Sequence, residues 1–292
     1  MTETAAAPNL FAMVLHFRSA GGADVAGSGR QAHGLFHALV AERDPALAAQ
    51  LHETSGVRPF TLSQVLALGA PAPEPTSHLE GQVYRLRVTL LNGKLFNSIA
   101  NRLVGAPSSE EYRIGASHFA LSEALVTPGS HAWAGFTSFG ALLANAATRR
   151  ELSFEFASPT AFGFGDRPWG TQVVVLPEPT LIFRNLLAKW NAFSSVPISP
   201  NVVDVVEKSV VVARHAIRTE VLRSSDAPQV GFVGHCTVEI KGKPDESAIR
   251  SLNALADFAF YAGIGRKTTM GMGQARRVVG GLPRPPKGGN DG

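Results

Sequence analysis

Tyr261-Ala262-Gly263-Ile264-Gly265-Arg266-Lys267-Thr268-Thr269-Met270-Gly271-Met272-Gly273-Gln274 lies near the end of the 292-residue chain. Gly263 and Gly265 form one Gly-x-Gly pair, and Gly271 and Gly273 form a second. Arg266, Lys267, Thr268 and Thr269 stand between the pairs, no acidic residue interrupts the stretch, and Arg276 and Arg277 follow it. Glycine reaches φ > 0 and lets another backbone come close. A glycine loop with cations and hydroxyls is therefore suited to gripping a phosphate chain through its N–H groups. It lacks the Gly-Lys-Ser/Thr ending of a P-loop. It follows a helical pattern rather than a first strand, which excludes the dinucleotide fingerprint. A helix C-cap and turn would account for Gly263 alone. The composition of the loop favours phosphate or nucleic acid.

Outward from the loop, Glu246–Tyr261 has helical periodicity and Gln274–Val279 reads as a short strand. Upstream, Arg150–Phe156 and Val230–Ile240 read as strands, Val202–Leu222 as a long extended region, Ser158–Gly170 as a loop and Thr180–Trp190 as a helix. This is a β-α-β-β-α-β order. The first half repeats it: strand Phe11–Phe17, helix Arg30–Val40, a short helix Ala46–His52 opened by Asp44-Pro45, strands Phe60–Leu68 and Val83–Leu91, helix Leu95–Val104 and strand Tyr112–Ala120. Ala70–Pro75 reads as a proline-rich connection, and Ser130–Asn145 as a linker with its own helix. The expected fold is α+β, with two tandem ferredoxin-like (RRM-like) βαββαβ domains and a C-terminal glycine-rich loop. Expected boundaries are 1–145 and 146–282, with a loose N-terminus over 1–8 and a disordered basic tail over 283–292. Two helices on one face of a four-stranded antiparallel sheet is also the shape of an RNA-recognition module.

Apolar residues make up 45% of the chain, enough for real cores, and charged residues only 17%. The net charge of +4 and pI near 9.5 favour a polyanionic partner without demanding one. The single cysteine, Cys236, excludes an internal disulfide framework and suggests a reducing compartment. Neither a signal peptide pattern nor an apolar run of membrane-spanning length is present, so a soluble cytoplasmic protein is expected.

On the first helix, Ala32, Leu35, Phe36 and Leu39 cluster on one side, and Arg30, His33 and His37 share a different, solvent-side arc. His33 and His37, four apart, could begin a zinc site, but no His-Glu-x-x-His pattern and no third ligand accompany them. No metal and no cofactor are expected. His52 ends a short helix, where the dipole favours a cation, and Arg58 lies in a turn. Arg214 and Arg218 share one strand face, as a solvated edge or as an RNA contact. His235 and Cys236 read as core, as do Trp133, Phe183 and Trp190; His16 and His118 read as structural. Phe162, Phe164 and Trp169 are candidates for base stacking.

Three groups of residues resemble a known family. They are Gly263–Gly273; Ser158-Pro159-Thr160 followed by Leu176-Pro177-Glu178-Pro179 and Phe183-Arg184-Asn185-Leu186-Leu187-Ala188-Lys189-Trp190-Asn191; and Gly34-Leu35-Phe36-His37 with Leu51-His52-Glu53 and Arg58-Pro59-Phe60-Thr61-Leu62-Ser63. Together they make the chain similar to the CRISPR-associated endoribonucleases that cut repeat RNA, the sixth-numbered Cas proteins of the RAMP superfamily, over nearly its whole length. The resemblance implies a metal-independent cut within the repeat of a precursor RNA, in which a 2′-hydroxyl attacks the adjacent phosphate and a 5′-oxygen leaves. The family's reactive positions fall on His37, His52 and Arg58. The two histidines would share acid and base work. Arginine stands where relatives often have lysine, so Arg58 would only stabilise charge.

RNA contacts are expected at Arg30, His33, Arg214, Arg218, Arg266 and Lys267, and at Gly263, Gly265, Gly271 and Gly273. Repeat RNA is the implied partner. A CRISPR effector complex that receives the guide, and a homodimer, are left open; no membrane is involved. The main rival reading is a non-catalytic RNA-binding subunit of such a complex, which would keep the loop and lack the proton-transfer pair. An RNA-recognition protein unrelated to CRISPR is a further one.

Overall fold

A computed structural model describes residues 7–21, 29–53, 56–69, 80–103, 111–168, 170–223 and 227–281, with only the backbone of 52–53, 101–102 and 166–167. The loose start over 1–6, the 70–75 connection, Trp169 and the 283–292 tail lie outside the described residues.

The first sheet is built from β1 (Leu10–Ser19), β2 (Phe60–Leu62), β3 (Leu66–Ala67), β4 (Val83–Leu90), β5 (Glu111–Ile114) and β6 (Ser117–Leu125), with α1 (Gly29–Arg43), α2 (Pro45–Glu53) and α3 (Gly93–Leu103) between them. Its order is β2-β4-β1-β6-β5, all antiparallel, with β3 also on β4. Taken as β1-α1-β2-β4-α3-β6, this is the ferredoxin-like arrangement. β1 is nearly continuously apolar because it is central and almost wholly buried. The buried face of α1, Ala32, Leu35, Phe36, Leu39 and Val40, keeps the i, i+3, i+4 spacing that the sequence predicts. Phe36 stacks on Phe60 at 4.3 Å, and Phe11 on Phe96 at 3.9 Å.

After β7 (Gly135–Thr137), which pairs with the start of β1, comes α4 (Phe139–Ala144), capped by the Ser138 hydroxyl accepting from the Ala141 N–H at 3.1 Å. The second sheet, of β8 (Glu151–Thr160), β11 (Val210–Leu222), β12 (Gln229–Ile240) and β13 (Ala275–Val278), has order β11-β12-β8-β13. With α5 (Pro179–Phe193), α6 (Val202–Ser209) and α7 (Glu246–Ala262) it forms a second ferredoxin-like unit. A separate hairpin of β9 (Phe162–Arg167) and β10 (Gly170–Val174) leaves it between β8 and α5. Its core holds Phe154, Phe156, Phe183, Trp190, Phe232 and Phe258, and also takes in Leu10, Ala12 and Leu91 from the first unit.

Four segments differ from expectation. Val202–Ser209 is helical despite its β-branched residues. Val202 and Val206, one turn apart, are buried, while Asp204 in the first turn and Lys208 in the last suit the helix dipole. Phe60–Leu68 divides into β2 and β3, because the Ser63 hydroxyl accepts the Arg87 N–H at 2.8 Å and interrupts the ladder. Tyr112–Ala120 folds back at Gly115, whose φ is 64°. Ser158–Gly170 is not a loop: β8 runs through Thr160 and β9 follows. Two side chains expected in the core lie elsewhere. His235 is exposed, since strand alternation buries only its neighbour Cys236. Trp133 is half-buried between the two units.

Arg87 of β4 fixes the units together. Its guanidinium is buried and donates to the Trp133 carbonyl (3.0 Å), Gln274 Oε1 (2.6 Å) and the Phe260 carbonyl (2.5 Å). It also lies 4.9 Å from the Trp133 ring centroid and 4.7 Å from that of Phe260; these two rings stack at 6.0 Å. Burial pulls the Arg87 pKa down to about 9. Arg276 covers Trp133 at 4.4 Å and pairs with Glu155 at 2.7 Å.

Candidate functional site

The glycine-rich stretch leaves the end of α7 and returns into β13, crossing the outer edge of the first sheet as it does so. β2 is that edge. The Leu62 N–H donates to the Thr268 carbonyl at 2.9 Å, and the Gly271 N–H donates to the Leu62 carbonyl at 3.1 Å. An unpaired strand edge of one unit is thus closed by the loop of the other. The expectation that glycine amides cradle a phosphate meets amides already engaged. Gly263 donates to Ala259, Gly265 to Asn185 Oδ1, and Gly273 to Pro159. All four glycines are buried. They are required by close approach: a Cβ on Gly265 would lie 2.4 Å from the Ala161 carbonyl oxygen, and one on Gly273 2.1 Å from that of Ile264. The half-buried tip, Arg266–Met270, is what the loop offers outward. Lys267 there holds φ 51°, the left-handed region that a non-glycine residue seldom enters.

The block from Phe183 to Asn191 explains itself from this geometry, because α5 supports the loop. Besides Asn185, the buried Lys189 amine donates to the Ala262 and Gly263 carbonyls at 2.9 and 3.1 Å. Those are orphan carbonyls at the end of α7. Burial pulls the Lys189 pKa down to about 7 from 10.5. Between these two values the unfolded chain holds a proton on Lys189 that the folded protein does not. Its contribution to stability therefore rises with pH across that window and is flat below it. The stability difference between wild type and Lys189→Met is expected to grow by up to about 1.4 kcal/mol per pH unit between pH 7.5 and 9.5 in urea titrations. A constant difference would mean that the folded amine stays charged.

Under the loop lies α1. His33 and His37 have ring centroids 4.5 Å apart, and both rings pack against Phe60, at 5.7 and 5.9 Å. They are half-buried rather than on an open solvent arc, because β2 covers that face; Arg30 at the helix start is exposed. His37 Nε2 is turned into the protein. Arg58, half-buried, precedes Phe60 by two residues. His52 belongs to the last turn of α2, and its side chain lies outside the described residues. Helix α1, the Arg58–Ser63 stretch and the glycine loop, far apart in sequence, thus meet at one place.

Arg214 and Arg218 are elsewhere, on β11. Arg214 pairs with Glu151 at 3.0 Å; Arg218 is exposed, pairs with Glu220 at 2.5 Å, and faces the cleft between the sheets. That cleft holds a cavity of about 370 Å³, lined by Arg85, Arg87 and His131 on one side and Glu155, Arg218 and His235 on the other. His131 Nδ1 accepts the Trp133 N–H at 3.0 Å, and burial followed by Arg85 and His16 lowers its pKa. Sequence reading missed Arg85, His131 and His235 as a cluster, since only the facing of two sheets brings them together. Of the stacking candidates, Phe162 is buried and Phe164 is exposed on the β9–β10 hairpin.

Comparison with known proteins decides the family. The model of the CRISPR Cas6 N-terminal domain matches residues 23–144, and that of the CRISPR-associated endoribonuclease Cas6 matches residues 154–275. The solved product complex of Cas6 (TTHB231) of Thermus thermophilus is 32% identical, with TM-score 0.80 over 93% of this chain and 100% of that one. The chain belongs to the Cas6 family. Two further Cas6 structures are similar to it: the product complex of Cas6 (TTHA0078), with 29% identity and TM-score 0.72 over 92% of this chain and 99% of that one, and the H37A mutant of the same protein, with 27% identity and TM-score 0.69 over 93% and 100%. No curated protein sequence matches. The tandem ferredoxin-like fold of the Cas6 family is the one described above, and among the described residues no helix is long and apolar enough to cross a membrane.

Proposed function

We propose that this Cas6 protein cuts CRISPR precursor RNA within its repeats without a metal ion. The 2′-hydroxyl attacks the adjacent phosphorus while the P–O5′ bond breaks, leaving a 2′,3′-cyclic phosphate and a 5′-hydroxyl. The observation that supports this reading is that His33 and His37 pack on Phe60, two residues beyond Arg58, and that the glycine-rich loop of the second unit is hydrogen-bonded to Leu62 of the same strand. His37 and His52 share the two proton transfers, one removing the 2′-hydroxyl proton and the other supplying a proton to the leaving oxygen. Arg58 offsets the charge that gathers on the phosphate oxygens. Arg30 and His33 on α1 and Arg266 and Lys267 on the loop contact the RNA backbone beside the cut. Gly263, Gly265, Gly271 and Gly273 shape the loop that presents those cations, and Arg214 and Arg218 take a more distant part of the RNA. The solved relatives support an RNA substrate, two of them as product complexes and one as a substrate mimic complex.

The test is cleavage of a repeat RNA in EDTA, with the product ends sequenced and their phosphates identified. One cut per repeat is expected, and a 2′-deoxy sugar just upstream of it should abolish cleavage while binding persists. A requirement for Mg²⁺, or cutting of the 2′-deoxy RNA, excludes the mechanism. Binding with no cutting of the all-ribose RNA under any condition would favour the non-catalytic subunit instead.

A further inference from the structure

The loop touches the first unit at a second place. Gly29 opens α1, and a Cβ on it would lie 2.2 Å from the Met270 carbonyl oxygen and 2.7 Å from its carbon, both main-chain atoms that cannot swing aside. Across the loop, Gly271 holds φ 96°, and a Cβ there would lie 2.5 Å from Gln64 Cγ. Residues 268–271 are therefore fitted against the first residue of α1 on one side and hydrogen-bonded to Leu62 of β2 on the other. Those two elements present His37, about two turns along α1 from Gly29, and Arg58, just ahead of β2.

We propose that the glycine-rich loop is a positioning device for the cut, setting α1 against β2 so that His37 and Arg58 address the same phosphate, with Gly29 and Gly271 as its positioning residues. This rests on the reading of His37 and Arg58 as reactive groups. Its consequence is that the second unit governs the rate of the chemical step and does not merely hold RNA. A displacement near 1 Å at a reacting centre can slow a reaction about 10²-fold.

A helix outside the site supplies a control. Gly140 lies in α4, and a Cβ on it would come no nearer than 4.0 Å to Ser138 Oγ. Single-turnover cleavage is measured at saturating enzyme for wild type, Gly29→Ala, Gly140→Ala and His37→Ala, and affinity is measured with 2′-deoxy repeat RNA. Gly29→Ala is expected to cut roughly 10–100-fold more slowly with affinity unchanged, and Gly140→Ala to match wild type. Amide exchange gives a readout independent of cleavage: the Leu62 and Gly271 amides should be protected in wild type and lose protection in Gly29→Ala. Unprotected Leu62 and Gly271 amides in wild type overturn the proposal even if Gly29→Ala fails to fold. So does a Gly29→Ala enzyme that cuts at the wild-type rate, or one whose affinity falls in step with its rate. If His37→Ala cuts normally, the reading of His37 fails. If His37→Ala is inactive and Gly29→Ala is normal, only the positioning role fails.

Discussion

Alanine in place of His37 is expected to slow cleavage of a repeat RNA by about 10²–10⁴-fold, the usual loss when an acid–base group is removed. Binding of the 2′-deoxy RNA should stay close to wild type. The ring packs against Phe60 and His33, and it sits on a helix whose opposite face is core. Removing it leaves α1 seated through Leu35, Phe36 and Leu39, so a lost rate would report chemistry rather than unfolding. Glutamine in its place should be no better, since an amide has the size but not the titration of imidazole. The pH–rate profile of His37→Ala should lose one of the two limbs expected of wild type, and which limb it is assigns His37 as base or acid. A near-normal rate for His37→Ala would remove it from the site and leave His33, 4.5 Å away, as the residue to replace next.

Replacing Arg87 by methionine should give the largest loss of stability. The methionine keeps much of the stem volume but leaves the Trp133 and Phe260 carbonyls and Gln274 Oε1 buried without their donor. Breaking a buried, hydrogen-bonded charge from one side costs about 3–5 kcal/mol. Lysine should rescue little, because one ammonium cannot span three acceptors that a planar fork reaches together. The loss should appear in urea denaturation as a lowered midpoint. It should also appear as a split into two transitions, since the acceptors belong to α7, to the end of the glycine loop and to the Trp133 turn, whereas the donor belongs to the first sheet. A change under about 1 kcal/mol, the size of an ordinary surface pair, would show that the guanidinium is not what holds the units.

The regular elements were legible because their patterns are local. β1 reads as a strand from Phe11–Phe17 alone, and the wheel of α1 names the residues that are buried. The α6 helix was not read because its run of valines weighs toward strand. Its Asp204, Glu207 and Lys208 carry the helical period, and burial of Val202 and Val206 settles it. The site was half legible. Gly34–His37, Arg58–Ser63 and Gly263–Gly273 could each be marked in the sequence, yet nothing local says that they meet. The bond between Leu62 and Gly271 joins residues more than two hundred apart, and a main-chain contact leaves no side-chain signature. For the same reason the glycines suggested a ligand when what approaches them is the protein's own backbone. Trp133 and His235 misled because a strand or turn pattern gives two faces without saying what the second face meets.

Leu10, Ala12 and Leu91 belong by chain position to the first unit but by packing to the second core. On a ribosome making about 5–20 residues per second, the second half of the chain follows the first by roughly 7–30 seconds. Throughout that interval the finished first sheet has three apolar side chains with no second core to enter. The order of synthesis thus leaves the early half of this protein waiting with an open seam, one that only the late half can close.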